Sequence, residues 1–186
     1  MILPIVGYGN PVLKKKAGEI DASYPGLEKL LEDMWETMYT ASGVGLAAPQ
    51  VGKPIRLFIV DASPFEDEEE ELKDFKKVFI NAQMLEETGE EWFFNEGCLS
   101  FPELREDVLR KPKIRIKYQD EKFNTFEEEY DGVAARIIQH EYDHIEGIVF
   151  VDRITPLKRR LIKSKLTNII KGVTQPAYKM KFAQKK

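Results

Sequence analysis

Apolar residues at 27, 30, 31, 34, 35 and 38 fall on one side of a 3.6-residue repeat. They predict an amphipathic helix after Pro25-Gly26 that ends near Ser42-Gly43. Behind it, Gly43 to Gln50 is rich in small residues and reads as a helix C-cap and a loop into a strand. Ile55 to Val60 is a strand-like run after a Gly-Lys-Pro turn, and Val78 to Ile80 is a short strand. Residues 84 to 95 suit strands around Gly89, residues 114 to 118 alternate as a strand with one exposed face, and Thr125 to Tyr130 suits another. A second helix is predicted over Gly132 to Ile145, with Asp131 as N-cap and Gly147 closing it. Thr155-Pro156 opens a last helix, with apolar positions 157, 161, 162, 166, 169 and 170 running up to Gly172. The expected fold class is α+β: short antiparallel strands packed around a central helix, plus a C-terminal helix. The expected organisation is one domain over 1–172 and a basic, flexible tail over 173–186.

Composition narrows the class. The 186 residues are enough for one domain with a real core, and 42% hydrophobic with 32% charged residues is the balance of a globular protein in water. No apolar run reaches membrane-spanning length and no basic-then-apolar leader opens the chain, so no membrane role is expected. A single cysteine excludes an internal disulfide and fits a reducing cytoplasm. Charge is uneven. Glu66 to Glu71 is six consecutive acids, which read as a solvated loop rather than a site. Arg153 to Lys186 holds 11 basic residues and no acid, whereas the rest of the chain carries a net charge of −15. A basic C-terminus on an acidic body suits an anionic partner, or serves only as a solubilising tail.

The chemistry concentrates in His140-Glu141-Tyr142-Asp143-His144, which contains both histidines of the chain. Histidines four apart share one helix face, the geometry two imidazoles need to hold one metal ion. Glu141 stands about 100° further round the helix, where it suits a general base acting on water. A metal needs at least a third ligand. The downstream histidine of the longer metallopeptidase pattern is absent, because position 150 is Phe150, and no Asp or Glu follows Asp152. The third ligand is therefore expected upstream, and Cys98 in Glu96-Gly97-Cys98-Leu99-Ser100 is the candidate. A lone buried cysteine is as often inert, and that reading stays open on composition.

Three segments together, GVGLAAPQ at 43–50, EGCLS at 96–100 and HEYDH at 140–144, resemble the motifs of the peptide deformylase family. Tyr142 is a mild departure at a hydrophobic position of the third motif. The resemblance implies hydrolytic removal of the formyl group from nascent N-formyl-methionyl polypeptides in the cytoplasm. It implies one divalent metal on Cys98, His140 and His144, typically Fe²⁺ with Zn²⁺, Ni²⁺ or Co²⁺ as alternatives. Metal-bound water would attack, Glu141 would act as base and then acid, and Gln50 with the Leu99 N–H would stabilise the oxyanion. The Gly45 backbone would pair with extended substrate, and Val44, Phe94, Val133 and Ile137 would line the methionine pocket. Apart from the resemblance, charge and motif position alone suggest Glu96 as an anchor paired with Arg105 or Arg110, and leave Asp143 open between orienting a ligand and capping a loop. For such an enzyme the natural anionic partner of the basic C-terminus is the ribosome, with the solubilising tail as the equal alternative. A metal-dependent endopeptidase and a metal-stabilised RNA-binding module are the rival readings.

Overall fold

A computed structural model describes residues 1–184. A five-stranded antiparallel sheet has the order β2 (Gly45–Ala47), β3 (Leu57–Asp61), β4 (Lys76–Thr88), β7 (Lys113–Gln119) and β8 (Thr125–Tyr130). A separate hairpin pairs β5 (Trp92–Cys98) with β6 (Phe101–Arg110). The first strand, β1 (Ile5–Val6), pairs in parallel with the last, β9 (Met180–Lys181).

The sheet is covered on both faces, and β3 shows why. All five of its residues are buried. Phe58 and Val60 pack with Val133, Ala134, Ile137 and Ile138 of α2 (Gly132–Ile145). Leu57 and Ile59 point the other way, onto Leu31, Met34 and Met38 of α1 (Leu27–Thr40). Period-2 alternation thus serves two helices on opposite faces. A third apolar cluster joins Phe101, Leu104 and Val108 of β6 to Ile162, Leu166 and Ile169.

The α+β expectation holds, and the central helix has the predicted bounds. Of its residues, all except Gly132 and Tyr142 are buried, so it is an interior helix held by its surroundings. Gly147 follows it with φ +76, where a Cβ would lie 2.6 Å from the Lys14 carbonyl oxygen.

Several local expectations are corrected. Gly43 is not the residue that reverses the chain after α1; Ser42 takes the left-handed conformation at φ 58. The segment from Gly43 to Gln50 itself contains strand β2 (Gly45–Ala47) and then enters a 3-10 turn over Ala48–Val51. Strands do flank Gly89 as expected, but they do not pair with each other: β4 runs 13 residues to Thr88 and pairs with β3 and β7, while β5 starts at Trp92 and pairs with β6. Two register shifts, between Ile80 and Gln83 and between Met84 and Glu86, let so long a strand bend. The last helix breaks at Ile162 into α3 (Pro156–Leu161) and α4 (Lys163–Ile170), and Thr155 caps the first as expected. Leu157 and Leu161 of its expected buried stripe stay exposed, at 63% and 74%. The segment read as a flexible tail is tied down by β9, and Gln184 N–H donates to the Ile170 carbonyl. Lys185 and Lys186, the end of that tail, lie outside the described residues.

Asp131 occupies the N-cap position of α2 without using its side chain. The Val133 N–H instead donates to Glu69 Oε1 at 3.2 Å. One member of the acidic run is therefore a helix cap, favoured there by the helix dipole. Glu69→Ala is expected to cost about 1 kcal/mol, or about 2–4 °C in Tm, whereas Glu68→Ala stays within about 0.5 kcal/mol. Equal losses in thermal melts of the two variants would remove the cap.

Candidate active site

The elements converge on one cavity of about 420 Å³. At its floor Cys98 Sγ, at the end of β5, meets His140 and His144 of α2, with one ligand atom from each within 4.8 Å of the others. His144 Nε2 lies 3.4 Å from the sulfur. His140 Nδ1–H donates to Glu96 Oε1 at 2.8 Å, which leaves Nε2 with its lone pair free toward the sulfur side. A thiolate and two imidazoles, one oriented by a buried carboxylate, fit a tetrahedral divalent metal with one open position.

Glu96 is held from three directions. Arg110 on the paired strand β6 donates through Nε at 2.8 Å and Nη2 at 3.0 Å, and Arg136 of α2 donates at 2.9 Å. Burial opposes its charge, yet the bonds from His140 and Arg110 hold its carboxyl well below the usual carboxylate range. Of the two partners expected, Arg110 is the one used. Arg105 turns to Asn95 instead, donating to its side-chain oxygen at 2.7 Å and its carbonyl at 2.9 Å. A Cβ at Gly97 would fall 2.4 Å from Arg105 Nη1, so glycine makes room for that arm. Asp143 accepts from Arg110 at 2.7 Å and from Arg153 at 2.5 and 2.7 Å, extending the network to the chain after α2.

Glu141 has the opposite surroundings. It is buried beside β2, its Oε2 has no partner among the described residues, and burial pushes its carboxyl up to about 7. A Cβ at Gly45 would lie 2.5 Å from Glu141 Oε1, so this glycine permits the close packing of carboxylate against strand. Gln50 Oε1 accepts from the Ala47 N–H at 2.9 Å, which aims Nε2 at Cys98 Sγ, 3.4 Å away, and Ser100 Oγ, 3.2 Å away. Leu99 lies in the two-residue turn that follows Cys98, since Cys98 pairs with Phe101.

Val44, Gly45, Gln50, Phe94, Glu96, Leu99 and Ile137 line the cavity with Cys98, His140 and Glu141. Val133 does not; it sits one helix turn before Ile137, inside the core cluster. Two further wall residues, Phe65 and Tyr178, carried no local signal in the sequence. Arg136 did carry one: an arginine amid apolar residues, four positions before His140.

The model of the polypeptide deformylase family matches residues 2–160. The chain belongs to that family. A peptide deformylase of Christiangramia forsetii is 61% identical, the match covering 100% of this chain and 98% of that one. A second, from Flavobacterium psychrophilum, is 60% identical over the whole of both chains. Among solved structures, a Legionella pneumophila peptide deformylase superposes with a TM-score of 0.79 at 36% identity, covering 90% of this chain and 95% of its own. The family is one of enzymes that remove the N-terminal formyl group, which decides against the endopeptidase and RNA-binding readings. Among the described residues no helix is long and apolar enough to cross a membrane.

Arg110 joins the two buried carboxylates, so Arg110→Ala leaves both Glu96 and Asp143 short of a counter-charge. A loss of about 3–5 kcal/mol is expected in urea unfolding. Arg115→Ala, on a half-exposed arginine paired with Glu86 and Glu127, stays within about 1 kcal/mol. Comparable losses in the two variants would show that the network is not a stability determinant.

Proposed function

We propose that this chain deformylates N-formyl-methionyl peptides by metal-assisted hydrolysis, with Cys98, His140 and His144 holding one divalent ion. The observation that carries the reading is the buried carboxylate of Glu141, its Oε2 unpartnered among the described residues, in the cavity lined by Cys98 and His140, whose ligand atoms converge with one from His144. When bound, the ion supplies a Lewis acid that brings the pKa of a coordinated water near neutrality. We assign Fe²⁺ to the site, with Zn²⁺, Ni²⁺ and Co²⁺ as ions the same soft sulfur and imidazole donors accept.

Glu141 Oε2 takes a proton from water as its oxygen adds to the formyl carbon. The C–N bond then breaks, formate departs, and Glu141 returns the proton to the amine nitrogen of methionine. Gln50 Nε2–H and the Leu99 N–H donate to the oxygen that gains charge. Glu96 acts through His140 by keeping its imidazole turned. The free edge of β2 at Gly45 offers main-chain groups to an extended peptide, since β2 is the outer strand of its sheet. Val44, Phe94 and Ile137, joined by Phe65, form the apolar wall for the methionine side chain, with Val133 supporting Ile137 from the core.

We assign the described residues to one catalytic domain, the segment after 172 being held in it by β9, working in the cytoplasm on nascent chains. Exposed Arg160, Lys163 and Lys165 on α3 and α4 favour ribosomal phosphates as an anionic partner. Arg153 is not available for that role, being engaged by Asp143.

Anaerobically prepared protein is expected to deformylate formyl-Met-Ala-Ser with about one metal per chain. Glu141→Gln should retain the metal and lose about 10²–10⁴ in kcat. Metal without turnover in the wild-type chain would sink the substrate assignment. The base works only when ionised, so kcat/KM rises with pH through the Glu141 pKa. That value is about 7 for the chain alone, and a nearby dication pulls it down, so the acid limb of the loaded enzyme lies below 7. Co-sedimentation with ribosomes should weaken with salt and be lost in a Lys163→Glu/Lys165→Glu variant; binding insensitive to both would end the ribosome proposal.

A further inference from the structure

The end of the chain reaches the cavity. Tyr178 lines it, and its hydroxyl donates to the Leu99 carbonyl at 2.8 Å. Leu99 and Ser100 are the central pair of the turn between β5 and β6. Turns of types I and II differ chiefly in which way the middle peptide faces, and the Leu99 carbonyl belongs to that peptide. A bond to this oxygen therefore selects one orientation. The following residue is held as well: Ser100 Oγ accepts from Gln50 Nε2, and the Ser100 carbonyl accepts from the Tyr8 N–H at 3.0 Å.

The segment bearing Tyr178 is built in. The Ile5 N–H donates to the Lys179 carbonyl and the Gly7 N–H to the Lys181 carbonyl, both at 2.9 Å. Gly172, at φ +66, turns the chain into the segment, and a Cβ there would lie 3.0 Å from Phe182. A Cβ at Gly9 would come within 3.2 Å of Ala183. Small residues on two separate elements leave space for this strap.

We propose that Tyr178 is a positioning residue: its hydroxyl locks the Leu99–Ser100 peptide, and through it the orientation of the preceding Cys98–Leu99 peptide, which carries the Leu99 N–H and adjoins the residue bearing the Cys98 sulfur. The C-terminal strap is then part of the active site. This rests on the role given to the Leu99 N–H in deformylation.

The test is Tyr178→Phe in the full chain, loaded with Zn²⁺ and assayed on formyl-Met-Ala-Ser. The kcat is expected to fall about tenfold with KM within about twofold, the signature of a displaced group that acts in the transition state. The backbone amide resonances of Leu99 and Ser100 should shift while those of β7 stay in place. An unchanged kcat, a change confined to KM, or a loss of kcat with unmoved turn amides would each overturn the proposal. Phe182→Ala loosens the strap away from the cavity and should shift the same amides; if Tyr178→Phe does not fold, that variant decides. A wild-type chain without turnover would defeat the deformylase reading, whereas the amide shifts test the lock independently of activity.

Discussion

The Glu96 carboxylate is the joint on which the site is assembled. It sits on β5, takes two bonds from Arg110 on β6, and takes one each from Arg136 and His140 on α2. Removing a carboxylate from water costs several kcal/mol, and that cost is offset only when its lone pairs are filled in good geometry. Here both oxygens are filled, and each donor comes from an element that must lie in one place for the bond to form. The hairpin carrying Cys98 is thereby set against the helix carrying both histidines. Hydrophobic packing alone would allow the hairpin to slide; directional bonds to a buried charge do not.

Rigidity of α2 follows from its ends as well as its middle. Glu69 meets its first turn, while Arg56 reaches its last through the Ile145 carbonyl and Glu146. A cation at the C-terminus and an anion at the N-terminus both suit the helix dipole. Between them, the helix is buried against β2, β3 and β7. Groups that must be held within about half an ångström are best carried on such an element rather than on a loop.

What could be read from the sequence was local. The bounds of α2 were legible because Gly132, Asp131 and Gly147 punctuate an apolar run, and the spacing of His140 and His144 is a property of one helix. What could not be read depends on distant partners. Arg136 acquires meaning only when Glu96, 40 residues away, is opposite it. The cap supplied by Glu69 looked like one charge in a repelling run, since nothing local says that α2 begins beside it. Strand β4 extended past its apolar stretch because β7 pairs with its polar half through two register shifts. The break at Ile162 carries no Gly or Pro; Leu157 and Leu161 continue a helical stripe in sequence that the fold leaves in solvent. Tertiary context outweighs periodicity in each of these.

Glu96 and Glu141 show how one small volume tunes two identical carboxyls in opposite directions. Three cationic or donor groups surround Glu96, and its acidity rises despite burial. Glu141 is buried with Oε2 unpartnered among the described residues and Oε1 beside the bare backbone of Gly45, and its acidity falls. A fold selected only for stability would pair Glu141 as it pairs Glu96, because an orphaned buried oxygen costs about 1–3 kcal/mol. An unfilled valence on a buried carboxylate is what the base proposed for this site would need. Both oxygens of Glu96 are filled, whereas Oε2 of Glu141, on the same helix as two of the Glu96 partners, has none among the described residues. Separation of two titrating groups by environment is the arrangement acid–base chemistry requires near neutral pH. A methyl at Gly45 would lie 2.5 Å from Glu141 Oε1 and would push that carboxylate from its place.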